Sequence, residues 1–176
     1  MYKKFNLLIL TMFGLGNSRY APGTVASFVT CLIYIVLFNY KVNILILIGL
    51  VSLIFLYSIF ILDEQKNSFS EIDAKEIVVD EFVGQSIPLL SIYNLVLFNN
   101  INNFILYTFS VFFLFRLFDI FKPFPINIID KKIKNGFGVM LDDVLAGIYS
   151  VIVFFLIFIG LNYVWNQKYN SKINKK

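Results

Sequence analysis

The sequence predicts an all-α, polytopic membrane protein, a helical bundle of about four to five membrane-embedded helices with a polar site at the cytoplasmic interface. Three observations predict it. Hydrophobic residues make up 59% of the chain and charged residues 15%, against roughly 45–50% and about 25% in ordinary globular domains. A chain of 176 residues cannot hide that much apolar surface from water. Apolar runs recur along it, and charge is confined to strips between them. The richest strip, 116–147, holds Asp119, Asp130, Asp142 and Asp143 together with Arg116, Lys122, Lys131, Lys132 and Lys134.

Lys3 to Phe13 is too short to cross a hydrocarbon core about 30 Å thick, which needs roughly 20 helical residues. It reads as an interfacial or buried helix. It imitates the apolar part of a secretory signal, but the following Gly14 to Arg19 lacks a small-x-small cleavage site, so the segment is expected to stay. Tyr20 to Ser27 reads as a turn into a helix, punctuated by Pro22 and Gly23, with Thr24 or Ser27 as cap. Val25 to Phe38 is a second run, short for a span. Val42 to Leu62 carries no charge and is the clearest transmembrane helix. Asp63 to Glu81 is polar and acidic, with a helical centre. Phe82 to Phe98 is apolar but holds Gly84 and Pro88, which predicts a kinked or partly buried helix. Asn99 to Asn103 reads as an uncharged loop, Phe104 to Phe118 as a span, and Val144 to Trp165 as the last span, before a basic tail at about 167–176. The whole of 1–176 is expected to form one domain.

Parity fixes the sidedness. Two apolar runs separate Thr24 from the acidic segment, and two more separate that segment from Arg116, so all three polar regions emerge on one side. All eleven acids lie between Asp63 and Asp143, and ten of the fifteen bases fall on the same side. The positive-inside rule makes that side cytoplasmic. The tail resists, because five spans would put Lys168, Lys172, Lys175 and Lys176 outside. Either Val25–Phe38 or Phe82–Phe98 does not fully cross, or the rule is broken here.

Composition also excludes chemistry. The net charge of +4 is modest and the bases are scattered, which suits anionic membrane lipids and gives no basic stripe for nucleic acid. With one cysteine, Cys31, no disulfide can form within the chain. No histidine occurs, which removes phosphohistidine intermediates, histidine bases and histidine-rich zinc sites.

Three groups carry candidate chemistry. Glu76 and Asp80 share a helical face four residues apart, and Asp80 and Glu81 open an apolar run, where an unpaired carboxylate is costly. Solvation of an acidic face is the plain alternative. Asp142 and Asp143 precede an apolar run and read either as a helix cap or as ligands brought to a shared ion by a flexible Gly136-Phe-Gly138 backbone. Oxygen-only ligands favour a hard cation such as Mg²⁺. Arg116, Asp119 and Lys122 recur three apart at a helix end. A surface ion pair is one reading; a cradle for the nonbridging oxygens of a phosphate monoester is the other, with Pro123 and Pro125 stiffening the lysine's turn.

Pro22-Gly23-Thr24, the block Val79-Asp80-Glu81-Phe82-Val83-Gly84, the block from Phe115 through Arg116, Asp119 and Lys122 to Pro125, and Gly138 through Asp142-Asp143 to Gly147 closely resemble the phosphatidylglycerophosphatase A family. The resemblance runs from about Phe13 to Ser150. Ala26 and Asn135 depart from it, each standing where the family usually has glycine. The resemblance implies a membrane-bound, all-helical, Mg²⁺-dependent phosphatase of the bacterial inner membrane, multi-pass and facing the cytoplasm, that converts phosphatidylglycerophosphate to phosphatidylglycerol. With it, Asp80, Glu81, Asp142 and Asp143 become the expected metal ligands. Arg116 and Lys122 are expected to hold the phosphate, with Thr24 and Ser27 bonding the headgroup, and Asp119 or Asp130 to orient water or protonate the leaving oxygen. Water attack and an aspartyl-phosphate both fit. The rival class is a non-enzymatic ion transporter or scaffold whose carboxylates bind cations; a transporter would place them at mid-membrane depth.

Overall fold

The structure, a computed structural model, describes residues 2–64, 74–99 and 103–173. Within them every regular element is helical: α1 (Tyr2–Leu10), a 3₁₀ turn (Leu15–Asn17), α2 (Pro22–Asn39), α3 (Ile44–Glu64), α4 (Val79–Asn99), α5 (Phe104–Phe121), α6 (Ile126–Lys132) and α7 (Gly136–Ile173). The expected helical centre of the acidic segment and the middle of the asparagine loop lie outside the described residues.

Four helices, α2, α3, α5 and α7, are long and apolar enough to cross a membrane. The 21 residues of α3 reach about 32 Å at 1.5 Å per residue. Their outward faces keep Leu45, Leu53 and Phe60 on α3, Phe113 and Leu117 on α5, and Leu156 and Ile159 on α7 exposed. Apolar surface on this scale is stable only against lipid. This is a membrane protein.

The α4 helix is as long as α3 but carries Gln85, Ser86, Ser91 and Asn94. It packs against α2, α3, α5 and α7 at once, so Gln85 and Ser86 are buried in protein, whereas Ser91 is half-buried and Asn94 exposed toward the far end. Of the two expectations for this run, burial is what the structure shows, and the helix continues through Pro88. Proline lacks the N–H that would bond the Gly84 carbonyl. That carbonyl faces α7, where a Cβ on Gly147 would overlap it.

The contacts at the two ends give the direction of each helix. Gly23 lies against Glu81 while Phe38 meets Tyr93, so α2 and α4 run parallel. Phe104 stacks on Phe38 at a centroid distance of 4.0 Å, so α5 runs back from that end. Tyr107 packs on Phe154 and Phe158, so α7 returns antiparallel to α5. All three polar regions therefore share one end, as parity predicts, and α7 carries its C-terminal part to the other. Both weak runs form helices that extend along the bundle, and of the two only α2 is among the helices apolar enough to cross a membrane.

Aromatic rings hold the far end. Tyr93 packs edge-on against Phe38 and Phe104, and its hydroxyl donates to the Val42 carbonyl at 2.7 Å. This meets an acceptor left over at the α2–α3 turn.

Three local expectations are corrected. Neither Thr24 nor Ser27 caps α2: Pro22 occupies its first turn, where a missing N–H costs nothing, and Ala21 precedes it in the left-handed region at φ 41° without a side-chain cap. The last helix begins at Gly136, not Val144. Asp142 and Asp143 consequently lie inside α7 and cannot cap it. The caps are Asp63, which accepts the Gly136 N–H at 2.9 Å, and Asn135, whose Oδ1 accepts the Gly138 N–H at 2.9 Å. Gly136 and Gly138 are not a flexible linker but the first turn of α7, pressed against the Ile59 and Ile133 carbonyls. Asn135→Ala is expected to destabilise the protein by about 1 kcal/mol, read as a thermal shift of roughly 2–4 °C in detergent.

Candidate metal and phosphate site

Two parallel helices, α4 and α7, build the centre of the site. Asp80 and Glu81 sit in the first turn of α4, and Asp143 sits about two turns into α7. One carboxylate oxygen from each lies within 4.8 Å of the others. A repeated spacing explains the convergence. Gly84 follows Asp80 by four residues and Gly147 follows Asp143 by four, and these glycines meet at the crossing. A Cβ on Gly84 would stand 2.7 Å from the Asp143 carbonyl oxygen and 2.8 Å from the Phe115 ring. Without side chains at the crossing, the backbones approach closely, and the acids one turn back come within reach of a common ion.

Asp142 points elsewhere. Neighbours on a helix diverge by about 100° and do not share a face. Asp143 turns toward α4, whereas Asp142 Oδ2 lies 2.7 Å from Lys122 Nζ, which also reaches Asp130 Oδ1 at 3.0 Å. Burial by itself would push the lysine's pKa down. Hydrogen bonding and charge from Asp142, then from Asp130, outweigh it and hold the ammonium above its ordinary value, so Lys122 stays charged across the neutral range.

The lysine's position is rigid. Lys122 closes α5 in the left-handed region at φ 41°, its N–H bonded to the Phe118 carbonyl, and Pro123 prevents the helix from continuing. The Tyr149 hydroxyl donates to the Phe124 carbonyl at 2.9 Å, while Ile126 packs with Phe115 and Ala146. The proline turn is thereby tied to α7.

Arg116 pairs with Asp119 one turn on. Asp119 also lies close enough to Asp143 for their charges to interact, which links the guanidinium to the acidic cluster. Glu81 lies against the Gly23 backbone at the N-terminus of α2, where the helix dipole favours anions. Thr24 is half-buried beside it. Ser27 is buried, and its hydroxyl donates to the Gly23 carbonyl at 2.9 Å. The sequence reading missed the caps Asp63 and Asn135 and the role of Gly147. The Asp-x-x-x-Gly spacing shared by both acidic blocks was the available signal for the last.

Charge balance gives this arrangement its chemistry. Asp80, Glu81, Asp119, Asp142 and Asp143 lie close enough for their charges to interact, with Arg116 and Lys122 as the nearby cations. Like carboxylates at this range cannot all ionise without further positive charge. Buried, all-oxygen ligands suit a hard divalent cation and fit poorly with zinc or copper. The donor set thus fits a divalent metal, and Asp80, Glu81 and Asp143 are the three whose oxygens lie close enough together to hold one.

Comparison with known proteins agrees with the geometry. The family model described as phosphatidylglycerophosphatase A matches residues 8–158. The chain belongs to the phosphatidylglycerophosphatase A family. It is 38% identical to phosphatidylglycerophosphatase A of Haemophilus influenzae over 150 residues, covering 85% of this chain and 86% of that protein. It is 36% identical to a Bacteroides thetaiotaomicron protein provisionally described as a phosphatidylinositol-3-phosphatase, covering 84% and 89%. The Escherichia coli phosphatidylglycerophosphatase A is 25% identical, covering 85% and 81%. No solved structure gives a significant match. As a member of this family the protein is a phosphatase, a phosphoric monoester hydrolase, which sets aside the rival class of a non-enzymatic transporter or scaffold.

Proposed function

We propose that the protein is a Mg²⁺-dependent lipid phosphatase of phospholipid biosynthesis that hydrolyses phosphatidylglycerophosphate to phosphatidylglycerol and inorganic phosphate. The observation that carries the reading is the convergence of Asp80, Glu81 and Asp143 at the bundle end that also presents Arg116 and Lys122. Bound there, Mg²⁺ would supply Lewis-acid charge to the phosphoryl oxygens. Arg116 and Lys122 neutralise the remaining oxygens, and Thr24, at the positive end of α2, bonds the headgroup. The pairing of Asp142 with Lys122 supports a part in placing the lysine, alongside its expected place among the metal ligands. Ser27, bonded to its own helix, supports the α2 terminus rather than the headgroup directly.

Water adds to phosphorus as the phosphorus–oxygen bond to glycerol breaks; a carboxylate of the site takes the proton that the water gives up, and a carboxylic acid donates the one that the leaving oxygen takes up. Asp119, between Arg116 and Asp143, is the better placed of the two candidates; Asp130 serves by holding Lys122. The acyl chains stay in the bilayer. The protein is placed as a multi-pass protein of the bacterial inner membrane with the site facing the cytoplasm, following the distribution of bases.

The Bacteroides relative supplies a second reading, a phosphoinositide monoester, with the same phosphate chemistry on another headgroup. Both lipids should be offered to purified protein in detergent, with Mg²⁺ and with chelator. Phosphate release from phosphatidylglycerophosphate that stops with chelator and returns with Mg²⁺ is expected. Release from phosphatidylinositol 3-phosphate alone would overturn the substrate assignment, and chelator-insensitive release the metal assignment. Lys122→Met is expected to raise KM for the lipid by about tenfold, the worth of one charge-assisted contact, checked by initial rates in mixed micelles.

A further inference from the structure

One polar side chain near the acids remains outside this scheme. Gln85 is fully buried, and neither its amide nitrogen nor its amide oxygen finds a hydrogen-bond partner among the described residues. A buried amide with both ends unmet opposes folding, and a methionine of similar shape would fill the space without that penalty. Such a group persists where function holds it against stability.

Its surroundings indicate the function. Gln85 follows Glu81 by four residues and shares its face of α4. Glu81 Oε2 is likewise buried without a partner. So is Nε of Arg116, whose charge acts on Glu81. Unmet groups of complementary kind, an amide, a carboxylate oxygen and a guanidinium N–H, thus belong to Gln85, one turn along α4 from Glu81, to Glu81 itself, and to Arg116, close enough for its charge to act on Glu81. Glu81 is held against Gly23 by packing, and its other oxygen has no donor to fix it.

We propose that Gln85 is a positioning residue for the cation site, its amide nitrogen donating to the Glu81 carboxylate and fixing that side chain toward Asp80 and Asp143 when a divalent cation is bound. The inference rests on the reading of Asp80, Glu81 and Asp143 as cation ligands. Outer hydrogen bonds of this kind orient ligands, and their loss typically weakens metal affinity by 10–100-fold. A donor on the far oxygen of Glu81 also removes the need for a buried carboxylate oxygen to go unmet.

The test uses full-length protein in detergent, wild type beside Gln85→Met and Gln85→Asn, with Mn²⁺ binding followed by its paramagnetic resonance signal and thermal unfolding followed without metal. Gln85→Met is expected to melt higher than wild type when metal-free yet bind Mn²⁺ at least about tenfold more weakly. Gln85→Asn, which keeps the amide on a shorter stem, should recover part of the affinity. If Gln85→Met binds Mn²⁺ as tightly as wild type, the positioning role is overturned and the cation site stands. If wild type binds no Mn²⁺, the cation reading falls, and the inference with it. A lower melting temperature with unchanged affinity would make Gln85 a packing residue only, which also overturns the proposal.

Discussion

Asp143→Asn is expected to lower phosphate release on the order of 10³-fold, comparable to removing a preorganised charge-stabilising group from other hydrolases, while the protein still folds. Asp143 alone in α7 faces both carboxylates of α4 and also meets Asp119. Asparagine keeps the shape and one oxygen but removes the charge. The same change at Asp142, one residue away, should act differently, because Asp142 faces Lys122. Asp142→Asn is expected to weaken substrate binding more than cation binding. Measuring Mn²⁺ affinity and KM for both variants separates the two roles. Equal loss of cation affinity in both would give Asp142 the same ligand role as Asp143; no loss at Asp143 would remove the metal centre from α7.

Gly147→Leu is expected to separate α4 from α7 and to cost both stability and activity. The Gly84 carbonyl and the Ile87 side chain occupy the space a Cβ would need, and both opposing groups are backbone or tightly packed. Overpacking of this kind costs about 1–3 kcal/mol. Here the shift also draws Asp143 away from Asp80, so activity should fall further than the loss of folded protein explains. Gly49 and Gly160 provide the controls, since a Cβ at either meets nothing within 4 Å. Alanine there should be neutral or stabilise by up to about 1 kcal/mol. Thermal unfolding and phosphate release, normalised to folded protein, check all three. Normal activity in Gly147→Leu would refute the account of how the acids converge.

Much of this architecture was legible in the sequence because membranes simplify the reading. Apolar runs are set by the thickness of hydrocarbon, and counting them by parity placed Thr24, Asp80, Arg116 and Asp142 at one end. The Arg116–Asp119 pair followed from helical spacing, and the stiff turn after Lys122 from its prolines. Helix starts were less legible. Asp142-Asp143 looked like a cap because the apolar run begins there, yet α7 starts at Gly136 with Asp63 as one of its caps. That partner lies 73 residues earlier in the chain, and no local pattern announces it. Gln85 shows the same limit. A polar residue in an apolar run can be read from the sequence, but whether it is satisfied depends on the helices around it.

By itself the sequence determined the all-helical membrane class, the family, and the residues that gather at the polar end. Each of these follows from local hydrophobicity, spacing or motif. The tertiary structure decided which carboxylates meet. Asp142 and Asp143 are adjacent in the chain, and only the closeness of α4 and α7, set by the Gly84–Gly147 contact, sends one toward Asp80 and Glu81 and leaves the other to Lys122. Backbone separation is a property of two helices together, and a few ångströms of it determine which acids face one another across α4 and α7 and which faces a lysine.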